Sequence, residues 1–249
     1  MFIAASTRCY TEMSIHNALG KLADLEFTAS EIAIGKKTQI PFFSDAEDSI
    51  ENVVQLVRNS RRIAPTSLFL DMEPDDPEFM ERFLFTVQIA KATKIVQITI
   101  KSSPLGTPYN AEVERLRDLV RMAIHEGLIL GLETERGRMS EDPDSLKSFC
   151  TTVPDLTITL DPSHFIYGYS KPKDYDPILG FTSHVRVRDT TKDKFQIQVG
   201  QGIQDYSRFV IQLEKVGYRG SLCVDIHRDP ELDHDAEMRK MRLLLESLL

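Results

Sequence analysis

Hydrophobic and polar positions exchange periodicity along this chain, from two residues in one stretch to about 3.6 in the next, and the exchange repeats. Residues 2–6 read as a short apolar strand. Residues 11–26 then place Ile15, Leu19, Leu22 and Leu25 at helical spacing. Residues 30–35 alternate again, with Glu31, Ala33 and Gly35 on one face and Ile32 and Ile34 on the other. A second helix is predicted over 45–62, capped by Ser44 or Asp45 and carrying Ile50, Val53, Val54 and Val57. Residues 66–71 form a third strand, and the acidic stretch 75–78, with a first-turn proline, opens the next helix. The scheme continues with strands at 94–101, 128–133, 156–160, 184–189 and 221–227. Helices are predicted at 110–127, 142–153, 205–217 and 231–249, with a brief one at 174–181.

Eight such alternations in 249 residues predict an α/β fold, a (β/α)8 TIM barrel forming a single domain over 1–249. A doubly wound open sheet is the rival, but it normally carries a glycine-rich first turn, and residues 6–11 (STRCYT) hold no glycine. No linker-like or low-complexity stretch offers a domain boundary.

Strand parity then says which side chains enter the barrel. In 184–189, Val185 and Val187 share one face, and His184, Arg186 and Arg188 share the other. The valines belong against the outer helices, so the polar set looks inward. Strand eight agrees, with Ser221, Cys223, Asp225 and His227 inward. The inward positions nearest the carboxyl ends are Asp71, Lys101, Glu133, Asp161, Arg186, Arg188, Asp225 and His227. Unpartnered charges buried there would cost several kcal/mol each, of order 3–5. They must pair, hold a metal or face a wet substrate cavity, unless they simply reach solvent beyond the strand ends.

Charge narrows the partners. With 30 basic and 38 acidic residues the net charge is −8, which argues against nucleic acid. Three cysteines without paired spacing point to a reducing compartment and no disulfide framework. No signal-peptide pattern and no apolar run approaching about 20 residues is present, so the expectation is a cytoplasmic protein without membrane attachment.

The residues GLET (131–134), LTITLDPSH (156–164), HVRVRD (184–189), the pair Gly200 and Gly202, and YRGSLCVDIH (218–227) carry a resemblance. In order and spacing they are similar to the xylose isomerase-like barrels, the sugar isomerase and epimerase superfamily that also includes endonuclease IV. The first half matches in rhythm and in Glu31. The resemblance implies a small-molecule carbohydrate substrate and a divalent metal (Mn, Mg or Zn) held at Glu133, Asp161, residue 186 and Asp225. It further implies that Glu133 and Asp225 serve as the catalytic acid and base. Residue 186, a histidine in the family, is Arg186 here, and a guanidinium cannot ligate.

Two readings stay open. In one, a metal-dependent isomerase or epimerase of a sugar, polyol or sugar phosphate binds its ion through Glu133, Asp161 and Asp225, with His164, His184 or water replacing the missing ligand. In the other, Arg186 neutralises Glu133 and Asp161 directly, leaving a metal-free binding module or an enzyme of changed chemistry. Substrate contacts are expected from His164, His184, Arg186, Arg188, Lys101, Lys192 and His227. The endonuclease branch is set aside, since it needs further histidines on early strands. His16 and His234 read as helix-surface residues, and the loop 190–194 as either a phosphate clamp or a solvated turn. Homo-oligomers are common among the barrels the chain resembles.

Overall fold

The computed structural model describes residues 1–35, 38, 46–59 and 63–249. The strands β1 (Phe2–Ser6), β2 (Ala29–Gly35), β3 (Ala64–Asp71), β4 (Gln97–Ile100), β5 (Ile129–Glu133), β6 (Thr157–Leu160), β7 (Thr182–Val187) and β8 (Ser221–Val224) run parallel in sequence order. The ring closes where β1 meets β8, with Phe2 opposite Ser221 and Ala5 opposite Val224. Outside it lie α1 (Ile15–Asp24), α2 (Ala46–Arg58), α3 (Phe79–Thr93), α4 (Tyr109–His125), α5 (Pro143–Thr152), the single turn α6 (Ser163–Ile166), α7 (Tyr206–Lys215) and α8 (His234–Glu246). This is the single-domain (β/α)8 barrel that the alternation predicts.

The outward strand residues make the main core. Ile32, Ile34, Leu68, Ile98, Leu132, Val185 and Val187 are buried against the helical layer. The inner face is different: branched aliphatics usually fill such a barrel, but here it carries Ser67, Gln97, Thr99, Thr159, His184 and Cys223. Thr99 and Thr159 join their hydroxyls at 2.7 Å across the interior. Gly131 is required beside them, because a Cβ there would meet Thr159 Oγ1 at 2.5 Å and Gln97 Nε2 at 2.8 Å.

Element ends follow local chemistry. Asp142, Asp205 and Asp233 accept N–H bonds from Ser145, Arg208 and Ala236, which fixes the starts of α5, α7 and α8. The last of these places the α8 start at His234 instead of residue 231. Residues 11–14 are not helical: Ser6 caps a 3₁₀ turn over Thr7–Tyr10, and α1 begins after its own cap, Ser14. β4 starts at Gln97, not at 94, because Lys94 adopts a left-handed conformation (φ 63°) that closes α3. β7 ends at Val187 and β8 at Val224, so Arg188, Asp225 and His227 lie just past their strands. Of the α2 expectation, the caps Ser44 and Asp45 and the end at 60–62 lie outside the described residues. Among the described residues no helix is long and apolar enough to cross a membrane.

Candidate functional site: a ring of ion pairs at the barrel mouth

Seven charged side chains converge at the carboxyl ends of the strands. Arg8 follows β1, Glu31 lies on β2, Glu133 ends β5, and Asp161 follows β6. Arg186 lies on β7, Arg188 just beyond it, and Asp225 follows β8. Parity places them there, and the pairings close the ring.

Arg186, with a side chain only 1% exposed, is the largest of the fully buried side chains. Its Nε donates to both Glu31 oxygens at 3.0 and 3.2 Å, and Nη2 donates to Glu31 Oε2 at 2.9 Å. Its Nη1 donates to Glu133 Oε1. Arg188 donates from Nε to Asp161 Oδ2 at 3.1 Å and from Nη2 to Asp225 Oδ2 at 2.6 Å. Arg8 Nη2 donates to Asp225 Oδ2 and stands 3.7 Å from Glu133 Oε1, so one nitrogen reaches both carboxylates. The Phe69 ring backs two of these cations, 4.2 Å from the Arg186 guanidinium carbon and 4.7 Å from that of Arg8.

These pairings override burial, which by itself would raise the carboxyls of Glu31, Asp161 and Asp225. Arg186, then His184, hold Glu31 down at about 2. Arg8 and Arg188 hold Asp225 well below the ordinary carboxylate range, and Arg188 followed by His164 lowers Asp161. Burial likewise works against the Arg186 charge, yet Glu31 and Glu133 raise its pKa well above the usual arginine value. Glu31, Asp161, Asp225 and Arg186 are therefore ionised throughout physiological pH.

His164 stands beside it. Its Nδ1 accepts the Arg136 backbone N–H at 3.2 Å, which leaves the proton on Nε2, 3.9 Å from Asp161 Oδ2. Burial lowers its pKa despite the opposing pull of Asp161, so the imidazole is neutral. Phe195 packs 4.7 Å from that ring and 4.6 Å from the Arg188 guanidinium.

The other expected residues are distributed differently. Lys101 lies on the rim in an ion pair with Asp71 at 2.6 Å. His184 sits deeper in the barrel, with Glu31, Ser221 and Cys223. Lys192 is exposed, and the nearest carboxylate, that of Asp193, is 4.0 Å away. The His227 side chain is exposed while its backbone is held by Gln196. The expected pairing of Arg186 with Glu133 and Asp161 holds only for Glu133: Asp161 belongs to Arg188, because β2, across the ring, supplies the second Arg186 partner. Arg8, Glu31, Phe69 and Phe195 were absent from the expected site. Arg8 carries the same signal as the rest, a charge just past a strand end, hidden by a 3₁₀ turn.

Four buried atoms of this ring have no hydrogen-bond partner among the described residues: Glu133 Oε2, Asp225 Oδ1, Arg188 Nη1 and Arg8 Nε. Two acceptors and two donors are thus without a partner in the ring. A divalent cation does not fit the same place. Its fourth ligand position holds a guanidinium, and Glu133, Asp161 and Asp225 each already bind at least one arginine. An ion would have to displace those contacts and then sit among three positive charges.

Comparison with family models matches residues 19–246 to the xylose isomerase-like TIM barrel. A comparison with curated proteins finds no match. Among solved structures, a xylose isomerase-like TIM barrel protein from Mycobacterium smegmatis in complex with magnesium is similar, with TM-score 0.77 and 14% identity, over 100% of this chain and 98% of that one. An L-ribulose 3-epimerase gives TM-score 0.76 and 14% identity over 99% and 95%. The probable 3-DHS dehydratase from Bacillus anthracis gives 0.71 and 14% over 98% of each. At these identities the likeness is one of fold.

Proposed function

The chain belongs to the xylose isomerase-like TIM barrel family, and we propose that it is a carbohydrate isomerase or epimerase whose ion-paired ring replaces a resident metal. Epimerases among the similar structures support the reaction class. The observation that carries the reading is the set of unpaired atoms at the mouth, two carboxylate oxygens and two guanidinium N–H groups in one dry ring.

A polyhydroxylated carbonyl compound matches that set. Arg188 Nη1 and Arg8 Nε donate to the carbonyl oxygen and to the negative charge it gains when the neighbouring carbon loses a proton. Asp225 Oδ1 and Glu133 Oε2, joined through Arg8, remove and return the proton. A carboxylate held as low as Asp225 is a weak base, so stabilisation of the enolate by the arginines must supply most of the rate. Phe195 offers an apolar face to the sugar carbons beside His164. A second reading, a binding barrel without chemistry, is favoured by the neutralisation of every ring carboxylate.

One experiment separates the readings. The protein is incubated in heavy water with a panel of ketoses, aldoses and polyols, with and without a chelator, and carbon-bound proton exchange is followed by NMR. The proposal expects exchange that survives chelation and disappears in Glu133→Gln. Exchange that requires added metal refutes the metal-free ring. Thermal stabilisation by a polyol without exchange identifies the binder.

A further inference from the structure

Below the mouth ring, three side chains from three strands meet inside the barrel. Glu31 of β2, His184 of β7 and Cys223 of β8 are all buried, and their ligand-capable atoms lie within 4.8 Å of one another. We propose that Glu31, His184 and Cys223 form a site for a thiophilic divalent cation of the zinc class. It is separate from the mouth carboxylates Glu133, Asp161 and Asp225.

Three observations support it. The first is the histidine. Its Nδ1 lies 3.1 Å from Ser221 Oγ, an outer partner that leaves Nε2 as the ligating nitrogen. Nε2 is buried and stands 3.0 Å from Glu31 Oε2. The second is spacing. Ligand atoms of a tetrahedral zinc stand roughly 3.3–3.8 Å apart, and all three here lie within 4.8 Å of one another, so shifts of about 1 Å or less would bring them onto one ion. The third is charge. The buried ring holds four carboxylates against three guanidiniums, one negative charge in excess. A divalent ion bound through a Cys223 thiolate adds one net positive charge and cancels it.

Arg186 donates to both Glu31 oxygens and keeps the carboxylate anionic, so an ion would share Glu31 with it, as ligating carboxylates are shared with outer-sphere donors. The donor set of thiolate, imidazole and carboxylate suits zinc or cobalt, not magnesium. The fourth position would take water. Bound there, the ion would join β2 to β7 and β8 through the barrel interior.

The test uses cobalt as the probe. The full chain is expressed in cobalt-supplemented medium, so that loading accompanies folding, and metal content and absorption are measured after purification. The unaltered protein and Glu133→Gln are expected to hold about one ion per chain, with a sulfur-to-cobalt charge-transfer band. Cys223→Ala and Cys223→Ser lose the band and bind cobalt at least roughly tenfold more weakly. Removal of the ion by a strong chelator lowers the melting temperature of the unaltered protein and leaves that of Cys223→Ala unmoved. The proposal is overturned if the unaltered chain carries no cobalt. It is also overturned if the band survives in the folded Cys223 variants. An ion lost in Glu133→Gln and showing no sulfur band overturns it too, and places the metal at the mouth.

Discussion

Replacing Arg186 with methionine removes the cation that two buried carboxylates share while keeping an apolar stem over Phe69. Glu31 then has no guanidinium within reach, and Glu133 keeps only the more distant Arg8 contact at 3.7 Å. Breaking a buried pair from one side costs about 3–5 kcal/mol, a large share of the 5–15 kcal/mol or so by which a domain is stable. The pH dependence is the sharper readout. In the unaltered protein the folded pKa of Glu31 is about 2 against an ordinary 4.5. Its stabilisation, of order 3 kcal/mol, is therefore complete above about pH 4.5 and is lost as pH falls through about 2. In Arg186→Met burial acts without its main opponent, the folded pKa rises above the unfolded one, and the sign inverts. The variant should gain stability on going from neutral pH to about pH 5, as the orphaned Glu31 takes up a proton. Urea denaturation at the two pH values measures this directly, and the double variant with Glu31→Gln should recover part of the loss at neutral pH. A loss below about 1 kcal/mol that does not vary with pH would refute the account of the ring.

Gly35→Ala would set a Cβ 2.4 Å from the Asp71 carbonyl oxygen, backbone that cannot rotate away. The denaturation midpoint should fall by the equivalent of about 1–3 kcal/mol. Asp142→Ala removes the oxygen that accepts from Ser145 N at 3.2 Å, and about 1 kcal/mol of stability should go with it in the same assay. Phe195→Ala withdraws the ring beside Arg188 and His164. Polyol affinity should drop about fivefold by calorimetry, about 1 kcal/mol from the apolar face withdrawn from the sugar carbons.

The barrel was legible because its outward faces obey simple parity: the valines of HVRVRD and the isoleucines of SEIAIG could only face helices. The same parity put Glu133, Arg186 and Asp225 on the inside before any geometry was known. Partner choice was not legible. Arg186 meets Glu31, 155 positions earlier, because ring closure brings β2 across from β7, and no local spacing encodes that. The directions of Lys192 and His227 were not legible for a different reason: β7 ends at Val187 and β8 at Val224, both residues lie beyond them, and once the pleat stops alternation no longer dictates direction. Arg8 was overlooked because it lies past β1 in a turn capped by Ser6, where strand parity does not reach.

The cross-barrel tie between Arg186 and Glu31 bears on how the chain can be divided. Cut between β4 and β5, the leading fragment keeps Arg8 and Glu31 while their ring counterparts stay with the trailing one. Each fragment would then hold inward charges whose complements reside on the other, so assembly of either is conditional on the arrival of its mate. Half-barrels of this sequence are complements, not autonomous units.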